Sequence, residues 1–404
     1  MSEPAKTDAA PPSRWAIAVL LLLVLINMIG FGVVMPLLPF YGALFKAEAW
    51  QVTLLFAAFA GGQFLGELCW GRLSDRIGRR PVILLTIFGS GLGYIALAFA
   101  PGIWTAVAAR AVGGFLSGNI STIQSYVVDI TPRERLAGRL GLIGSTFGVG
   151  FVVGPTLGGL LAHPERGLVG FQPPLLVAAA LSALAALGAL LFVRESRHAA
   201  DRTGPGAGVI ADLTAALSDG ATRQLLGSTL ATFIGFAAIW STLGLWGNAE
   251  FGWGPRVIGL LLGGNGVAMA VVQGVFAGMM IRRLGEIRTI LIGLFFTALP
   301  LIMIVLGRWE WAVAPLLMLV VAGNGATQPA TTLLLSRAAG PDRQGAVLGA
   351  NTAAGAFARV IGPIIAGFLF GTVGHYAPSM FAAAMMAPAA WLAWRGGQHL
   401  KRTG

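Results

Sequence analysis

The chain has 404 residues, of which 56% are hydrophobic and 11% charged, and its mean hydropathy is +0.79. Soluble proteins carry roughly 25% charged residues, so an ordinary soluble fold is excluded. A helix needs about 20 apolar residues to cross a bilayer, so this composition predicts roughly ten to twelve spans and no large soluble domain. The net charge of +11 then indicates membrane topology and argues against nucleic-acid binding.

Apolar runs bounded by charged residues, proline or glycine occur twelve times along the chain. They begin near Trp15, Gln51, Pro81, Gly102, Leu140, Pro173, Gln224, Val257, Thr289, Trp311, Gly345 and His375. Backbone groups in hydrocarbon must be bonded within the segment, and the sequence lacks the alternating pattern of a barrel, so the runs are predicted to be helices. We therefore expect an all-α membrane protein with twelve transmembrane helices, numbered as spans 1 to 12.

A hydrophilic stretch near the middle divides the spans six and six. We predict a first six-helix bundle at 15–193, a cytoplasmic linker at 194–223 and a second bundle at 224–396. Residues 1–14 and 397–404 are predicted tails, and the apolar run after residue 14 is interpreted as a retained span because it lacks a cleavage site.

The basic residues are distributed unequally between the two sides of these spans. The loops after spans 1, 5, 7 and 9 hold one basic residue each, whereas most of the 27 Lys and Arg residues fall in the other loops and the tails. By the positive-inside rule, both termini are predicted to be cytoplasmic.

The two predicted halves share landmarks at nearly constant offsets of 207 or 208 residues. The matched pairs are Gly71…Arg76-Ile-Gly78 with Gly278…Arg283-Leu-Gly285, Arg135…Gly141 with Arg343…Gly349, and Gly154-Pro155…Gly159 with Gly362-Pro363…Gly367. A duplication in the same orientation is one of the known plans of transporters, with two six-span repeats related by an axis along the membrane normal.

The residue types that an enzyme or a metal site requires are sparse. Cys69 is the single cysteine, and the four histidines His163, His198, His375 and His399 are scattered over the hydrophilic ends of segments. We predict no structural metal, no cofactor and no catalytic residue, because a membrane enzyme would need a nucleophile and base, or metal ligands, that converge.

The loop between spans 2 and 3, here called the 2–3 loop, carries a cluster of charge. It reads Gly71-Arg-Leu-Ser-Asp75-Arg76-Ile-Gly78-Arg79-Arg80-Pro81. Asp75 can bind the neighbouring guanidinium groups or cap a helix N-terminus, which makes the cluster a candidate latch that forms in one conformation and breaks in another. The alternative is a simple positive-inside anchor.

Four motifs make the chain resemble the major facilitator superfamily, and within it the proton-coupled drug antiporters that include the tetracycline efflux proteins. The 2–3 loop is similar to the superfamily's signature loop. The other three are Arg110-xxx-Gly114-xxx-Gly118 in span 4, similar to the buried-arginine motif; Gly150-xxx-Gly154-Pro155-xx-Gly158-Gly159 in span 5, similar to the antiporter motif; and Gly30-Phe-Gly32-Val-Val-Met-Pro36-Leu-Leu-Pro39 in span 1, similar to the drug-efflux pattern.

The resemblance implies two pseudo-symmetric six-helix bundles that rock against each other. It implies export of a small amphipathic organic compound in exchange for protons, by a monomer in the lipid bilayer of a bacterial-type inner membrane. A metabolite facilitator or symporter of the same fold is the alternative.

Roles for two further charged residues follow from the resemblance. Asp129, at the end of span 4, is similar to the family's acidic partner of the signature loop, so a pair with Arg76 or Arg79 is expected, against an ordinary helix-end carboxylate. Arg110 lies deep in span 4, where a charge costs at least about 2.5 kcal/mol. The resemblance implies a role for Arg110 in proton or substrate handling, and a structural hydrogen-bond hub is the alternative.

The second half departs from the pattern of the first. In the loop between spans 8 and 9, here called the 8–9 loop, Arg282 stands at the position of Asp75 and Glu286 at that of Arg79. This half-latch is therefore expected to be degenerate or rewired. Arg359 in span 11 matches a family position, and a role in helix packing is equally compatible with its place.

Proton coupling has no obvious carrier in span 1. Tetracycline exporters have an aspartate where this chain has Asn27. Glu67 in span 2 is the one acid clearly inside a span, so it is the candidate carrier alongside Arg110. The alternative is that Glu67 pairs with a loop arginine or snorkels.

The remaining candidate residues form a helix-packing stripe and a cavity. Gly150, Gly154 and Gly158 lie at four-residue spacing in span 5 and are expected to pack against the opposite half, with Pro155 bending the helix. A substrate cavity is expected between the halves, and each of its polar members could instead form an interhelical hydrogen bond. Its predicted members are Asn27, Phe31, Gln63, Asn119, Phe236, Trp240, Asn265, Asn324, Gln328 and Asn351.

Overall fold

A computed structural model describes residues 16–196 and 217–403, which are helical apart from turns and short loops. Spans 1 to 6 are Ala16–Val34, Ala49–Ile77, Arg79–Ala98, Ile103–Ser117 continued by Ile120–Asp129, Arg133–Leu161, and Gln172–Phe192. Spans 7 to 12 are Gly220–Phe251, Pro255–Leu284, Glu286–Gly307, Glu310–Gly340, Arg343–Thr372 and Ala377–Thr403. Short helices Leu38–Leu44 and Pro164–Phe171 follow spans 1 and 5.

The prediction of an all-α fold with twelve spans is confirmed. Within the described ranges, ten helices are long and apolar enough to cross a membrane. Span 4 falls outside this set because it is divided at 118–119, and span 12, a continuous helix that contains Pro388, also falls outside it. The predicted N-terminal tail at 1–14 and most of the linker lie outside the described residues. Span 12 stays helical through Thr403, beyond the predicted end of the second bundle.

Glycines make the tight turns at the two equivalent loops. Gly78 between spans 2 and 3 has φ 105°, and Gly285 between spans 8 and 9 has φ 80°. Residues with a Cβ rarely adopt positive φ, so these two glycines let each helix pair reverse without a longer loop. The conserved turn geometry at matched positions agrees with the internal repeat.

Span 5 packs against helices of both bundles, and different glycines make the two sets of contacts. A Cβ on Gly154 would lie 2.6 Å from the Ile29 carbonyl oxygen of span 1, and Gly150 and Gly158 face the same helix. The expectation that this stripe packs against the opposite half is therefore wrong for these three residues. Gly159 makes that contact: a Cβ there would lie 3.0 Å from the Gly259 Cα of span 8. Glycines on two faces of span 5 therefore allow it to approach span 1 on one side and span 8 on the other.

The two bundles are closed at one end and open at the other. At the end far from the 2–3 loop, Gly367 of span 11 abuts Trp50 and Thr53 of span 2, and spans 5 and 8 touch at their glycines. Met35 and Phe40 of the first half also pack into an apolar cluster of the second half there. At the end that carries the 2–3 loop, a Cβ on Gly141, Gly144 or Gly345 would meet no described atom within 4 Å. An opening between the bundles therefore faces the side of the 2–3 loop.

Candidate functional site

Arg79 is the centre of the contacts at the 2–3 loop. Its Nη1 lies 2.8 Å from Asp75 Oδ1 and donates to Ser74 Oγ at 2.6 Å, and its Nε lies 3.3 Å from Asp129 Oδ2. The Arg79 side chain is 8% exposed, against 49% for Asp75 and 28% for Asp129. The guanidinium thus ties spans 2, 3 and 4 together, and Asp129 pairs with Arg79 and not with the exposed Arg76.

Glu195, just after span 6, also binds the 2–3 loop. Its two carboxylate oxygens accept hydrogen bonds from the backbone N–H groups of Arg79 (2.8 Å) and Arg80 (3.1 Å), at the N-terminus of span 3. A negative charge is stabilised there by the helix dipole. The side chain of Arg80 donates to the Leu190 carbonyl at 2.8 Å. No local sequence pattern indicates this cap, because Glu195 is separated from Arg79 by 116 residues.

Ser196 and Arg194 strengthen the same contact. Ser196 Oγ donates to Asp129 Oδ2 at 3.0 Å, and Tyr126 of span 4 donates its hydroxyl to the Arg194 carbonyl at 2.7 Å. The start of the linker is therefore bonded to span 4 as well as to span 3. Any movement of these helices must carry the beginning of the linker with them or break these bonds.

The 8–9 loop has a corresponding ion pair with the charges exchanged. Arg337 Nη1 lies 2.5 Å from Glu286 Oε1. Glu286 stands 207 residues after Arg79, and Arg337 stands 208 residues after Asp129. The 8–9 loop is therefore rewired and not degenerate. The cross-helix ion pair is retained with its two charges exchanged, and Arg282 stands at the position of Asp75.

Arg110 lies buried between spans 2, 3 and 4, with 3% of its surface exposed. Its Nε donates to the Leu55 carbonyl at 3.3 Å, and its guanidinium lies 4.1 Å from the centroid of the Phe59 ring. Tyr94 is close enough to interact electrostatically, and the three side chains line a small cavity of about 10 Å³. Among the described residues, no carboxylate pairs with Arg110. The Leu55 carbonyl and the face of the Phe59 ring contact the charge instead.

Two of the predicted cavity residues form an interhelical hydrogen-bond chain. Asn27 Nδ2 of span 1 donates to Asn119 Oδ1 at 3.0 Å, and Asn119 Nδ2 donates to Thr86 Oγ1 of span 3 at 2.8 Å. Both asparagines are buried. Asn119 occupies the break in span 4, and the break allows its side chain to reach two neighbouring helices. Asn27 and Asn119 therefore form an interhelical hydrogen bond, which is the alternative to a role in the substrate cavity.

A polar cavity of about 80 Å³ lies within the second half. Its lining includes two predicted residues, Gln328 and Asn351, and five threonines from spans 7 and 10, together with Phe233. Thr229 Oγ1 donates to Asn351 Oδ1 at 2.9 Å, and Gln328 Nε2 donates to Asn324 Oδ1 at 3.2 Å. The structure therefore brings Asn324, Gln328 and Asn351 to one place.

The other predicted cavity residues are dispersed. Phe31 lies between Phe59 (5.3 Å between ring centroids) and Phe151 (6.0 Å). Phe236 and Trp240 form an edge-to-face pair within span 7. Gln63 is half-buried in span 2, and the buried Nδ2 of Asn265 has no hydrogen-bond partner among the described atoms.

Glu67 and Arg359 are charged residues on opposite bundles. Glu67 is in span 2 and Arg359 in span 11, and the two charges interact electrostatically. Glu67 does not pair with an arginine of the 2–3 loop, as one alternative had suggested: Arg359 is the charged group that acts on it. Arg359 is exposed, and a Cβ on Gly355 of its own helix would lie 3.7 Å from its Nη1.

Comparison with known proteins identifies the family to which the chain belongs. The family profile described as "Major Facilitator Superfamily" matches residues 20–248 and 225–402. The chain belongs to the Major Facilitator Superfamily. It is thus a multi-pass membrane transporter of small molecules and not an enzyme.

Curated relatives narrow the resemblance to drug efflux. The chain is 32% identical over 372 residues to the class C tetracycline resistance protein of Escherichia coli, covering 87% of this chain and 89% of the relative. It is 31% identical over 367 residues to the class E tetracycline resistance protein of the same organism, covering 87% and 86%. Among solved structures, the human organic anion transporter MFSD10 (TETRAN) superposes with a TM-score of 0.69 at 23% identity, over 95% of this chain and all of that one. The last likeness concerns the fold alone.

Proposed function

We propose that the protein exports small amphipathic organic compounds, tetracycline-like drugs among them, in exchange for protons. The observations that carry the proposal are the opening between the bundles, which is closed at one end, and the polar cavity of the second half, which is lined by amides, threonines and Phe233. Neutral amides and aromatic rings suit an amphipathic organic ligand. The relatives named as tetracycline resistance proteins favour export over import.

Alternating access is the mechanism we assign. In the conformation described, the opening faces the end of the 2–3 loop, which the positive-inside rule predicts to be cytoplasmic, so substrate enters from the cell interior. Rocking of one half against the other closes this end and opens the other. The contacts of Arg79 with Asp75 and Asp129 are the proposed latch: they are formed while this end is open, and we propose that they loosen as it closes.

Glu67 is the proposed proton carrier. It is the carboxylate that lies deepest in a span among the described residues, and it borders the opening. A carboxylate that binds a proton loses its charge, which lowers the cost of moving it through an apolar environment. Arg110 is proposed to support this step from within the first half, by fixing spans 2, 3 and 4 around Phe59.

A facilitator without proton coupling is the competing function. It is favoured by Asn27, a neutral amide hydrogen-bonded to Asn119, at the position where the tetracycline exporters have an acid. For either function we propose a monomer in a bacterial-type inner membrane with both termini in the cytoplasm.

The test uses purified protein in liposomes that contain a pH-sensitive dye, with an imposed proton gradient and a panel of amphipathic compounds including tetracycline. We expect proton movement that depends on added compound in the wild type and is absent in Glu67→Gln. Glu48→Gln, which removes an exposed carboxylate at the start of the same helix, is the matched control and retains the flux. Movement of compound without proton movement in the wild type would instead establish the facilitator.

A further inference from the structure

Three residues of span 11 share one face of the helix. Asn351, Gly355 and Arg359 follow each other at four-residue spacing, so they lie in a row on this face. A Cβ placed on Gly355 would lie 3.7 Å from Arg359 Nη1 and 3.6 Å from the ring of Phe233. The guanidinium therefore folds back over the glycine, against Phe233, into a notch that a larger residue would fill.

The directions of the helices make Arg359 and Glu67 converge. Side chains on a helix lean towards its N-terminus. Span 11 begins at the open end and span 2 at the closed end, so Arg359 leans towards the open end and Glu67 towards the closed end. The two helices meet in mid-span at Gly61 and Val360. A Cβ placed on Gly61 would lie 3.8 Å from the Val360 side chain. Glu67 lies on the open side of that meeting point.

The two charges act on each other without a direct bond. In the described part of the chain, Arg359 makes no hydrogen bond or salt bridge, and its electrostatic partner is Glu67. The other arginines near span 2 are engaged elsewhere: Arg110 is enclosed by Phe59 and Tyr94, and Arg79 is bonded to Asp75 and Asp129. The two bundles thus each present one charge that no other described charge pairs with directly, Glu67 on span 2 and Arg359 on span 11.

We propose that Glu67 and Arg359 form a two-point subsite for a dipolar organic compound, one that carries both a cationic amine and an acidic group. This rests on the proposed function, for which it names the substrate class. A guanidinium presents several N–H donors in a plane that matches a carboxylate, and Glu67 accepts from an ammonium group. In the absence of the compound each residue serves as the counter-charge of the other, which is how both are tolerated in mid-membrane.

The surroundings of Arg359 extend this subsite into the second half. Phe233 touches the guanidinium notch and also lines the cavity of about 80 Å³. The hydroxyls of Thr232, Thr327 and Thr331 in that cavity donate to carbonyls four residues earlier in their own helices. Their oxygens are left as acceptors, so this end of the subsite is suited to a hydrogen-bond donor on the compound. The aromatic ring offers an apolar surface for the scaffold between the charged groups.

The subsite also explains how a compound and a proton could exclude each other. An amine bound to Glu67 requires the carboxylate to be ionised, whereas the proton requires the same oxygens. Bridging by the dipolar compound therefore competes with protonation, and the bridged pair joins span 2 to span 11 across the opening. No bond is made or broken in this step apart from the transfer of the proton to water.

The test compares three forms of one fluorescent scaffold. The probes are a zwitterionic fluoroquinolone, its methyl ester, which is a cation, and its N-acetyl form, which is an anion. Binding to the full-length protein in detergent is measured by fluorescence titration, and transport in proteoliposomes. We expect the zwitterion to bind at least roughly tenfold more tightly than either singly charged form, since each charge-assisted contact contributes about that factor.

The variants give the proposal its sharpest test. In Glu67→Gln the zwitterion and the anion are expected to bind equally, and in Arg359→Gln the zwitterion and the cation. The exchanged pair Glu67→Arg with Arg359→Glu is expected to recover the preference for the zwitterion, a result that a merely structural role would not produce. Glu48→Gln and Arg395→Gln, which remove an exposed charge of each sign elsewhere, keep the wild-type ranking.

Two results would overturn the subsite. One is binding of all three forms to the wild type within about twofold, and the other is an equal loss for all three forms in each single variant. If the permanent cation ethidium is exported while the zwitterion does not bind, the subsite is wrong and efflux stands. If no compound, tetracycline and ethidium included, moves across the membrane, the proposed function fails and the subsite fails with it.

Discussion

The two loops that reverse the chain after spans 2 and 8 are built alike and bonded differently. In the 2–3 loop, Arg79 is 8% exposed and reaches Asp75, Ser74 and Asp129 at once. In the 8–9 loop, Glu286 pairs with Arg337, whose side chain is 61% exposed. Both have a glycine with positive φ at the turn. The duplication thus retained the backbone and one cross-helix pair, and concentrated further contacts in the first half.

The difference between the two loops indicates which half of the protein controls the alternation between its two conformations. A buried charge with several partners is costly to uncover, whereas an exposed ion pair contributes little. Reversing the sign of the pair leaves the tie between spans 9 and 10 in place. Because Arg282 stands where the first half has Asp75, the second half lacks the additional carboxylate that Arg79 binds in the first half. We therefore expect the first half to hold the latch and the second half to follow.

Removal of Arg79 has the largest expected effect. Arg79→Gln leaves two carboxylates without their counter-charge, and we expect a loss of about 2 kcal/mol, below the value for fully buried pairs because both carboxylates are partly exposed. The free energy of unfolding in mixed detergent micelles and tetracycline efflux from cells both measure it. Arg72→Gln, an exposed charge of the same loop, is the control. Unchanged efflux by Arg79→Gln would reject the latch.

Glu195 is expected to contribute less. Glu195→Gln retains an acceptor oxygen but removes the charge at the N-terminus of span 3, which typically costs about 1 kcal/mol. We expect slower efflux at normal expression, because the linker start is released from the 2–3 loop. Glu165→Gln, an exposed acid near the closed end, provides the comparison. Equal efflux by both variants would show that the cap is dispensable.

Asp219, which caps span 7, gives the second half a dependence on pH. Burial alone would raise the pKa of Asp219, but hydrogen bonds from the Thr222 N–H and hydroxyl, with the charges of Arg343 and His399, hold it below its ordinary value. A carboxyl whose pKa is lowered by folding stabilises above its unfolded pKa, near 4, and loses that contribution as the pH falls through the folded value. Unfolding midpoints from pH 7 to 3 are expected to fall less in Asp219→Asn than in the wild type. Parallel curves would contradict this.

The 8–9 loop pair is expected to have the smallest effect. Arg337→Gln removes an ion pair whose arginine is exposed, and we expect a change within about 0.5 kcal/mol in the free energy of unfolding and efflux close to that of the wild type. The exchanged variant Glu286→Arg with Arg337→Asp, which imposes the signs of the first half, is also expected to export. A loss as large as that of Arg79→Gln would remove the distinction between the two loops.

Sequence predicted the fold well because each span must satisfy its own backbone in hydrocarbon, so apolar runs mark the helices directly. The contact of Asp129 with Arg79 was also within reach, as motif and charge agree there. Arg337 could have been found, because the repeat offset maps Asp129 onto it. Glu195 could not, since its partners are backbone N–H groups 115 and 116 residues away. The pairing of Asn27 with Asn119 depends on the break in span 4, which no local pattern marks.

The central claim is that the opening alternates between the two ends of the bundles. The most direct measurement is of distances between spin labels across spans 5 and 8 in a Cys69→Ser background, at Leu142 with Val275 for the open end and at Leu160 with Val257 for the closed end. The account predicts that imposing a proton gradient with tetracycline present shortens the first distance and lengthens the second. Distances that stay fixed at both ends while the compound is transported would contradict it.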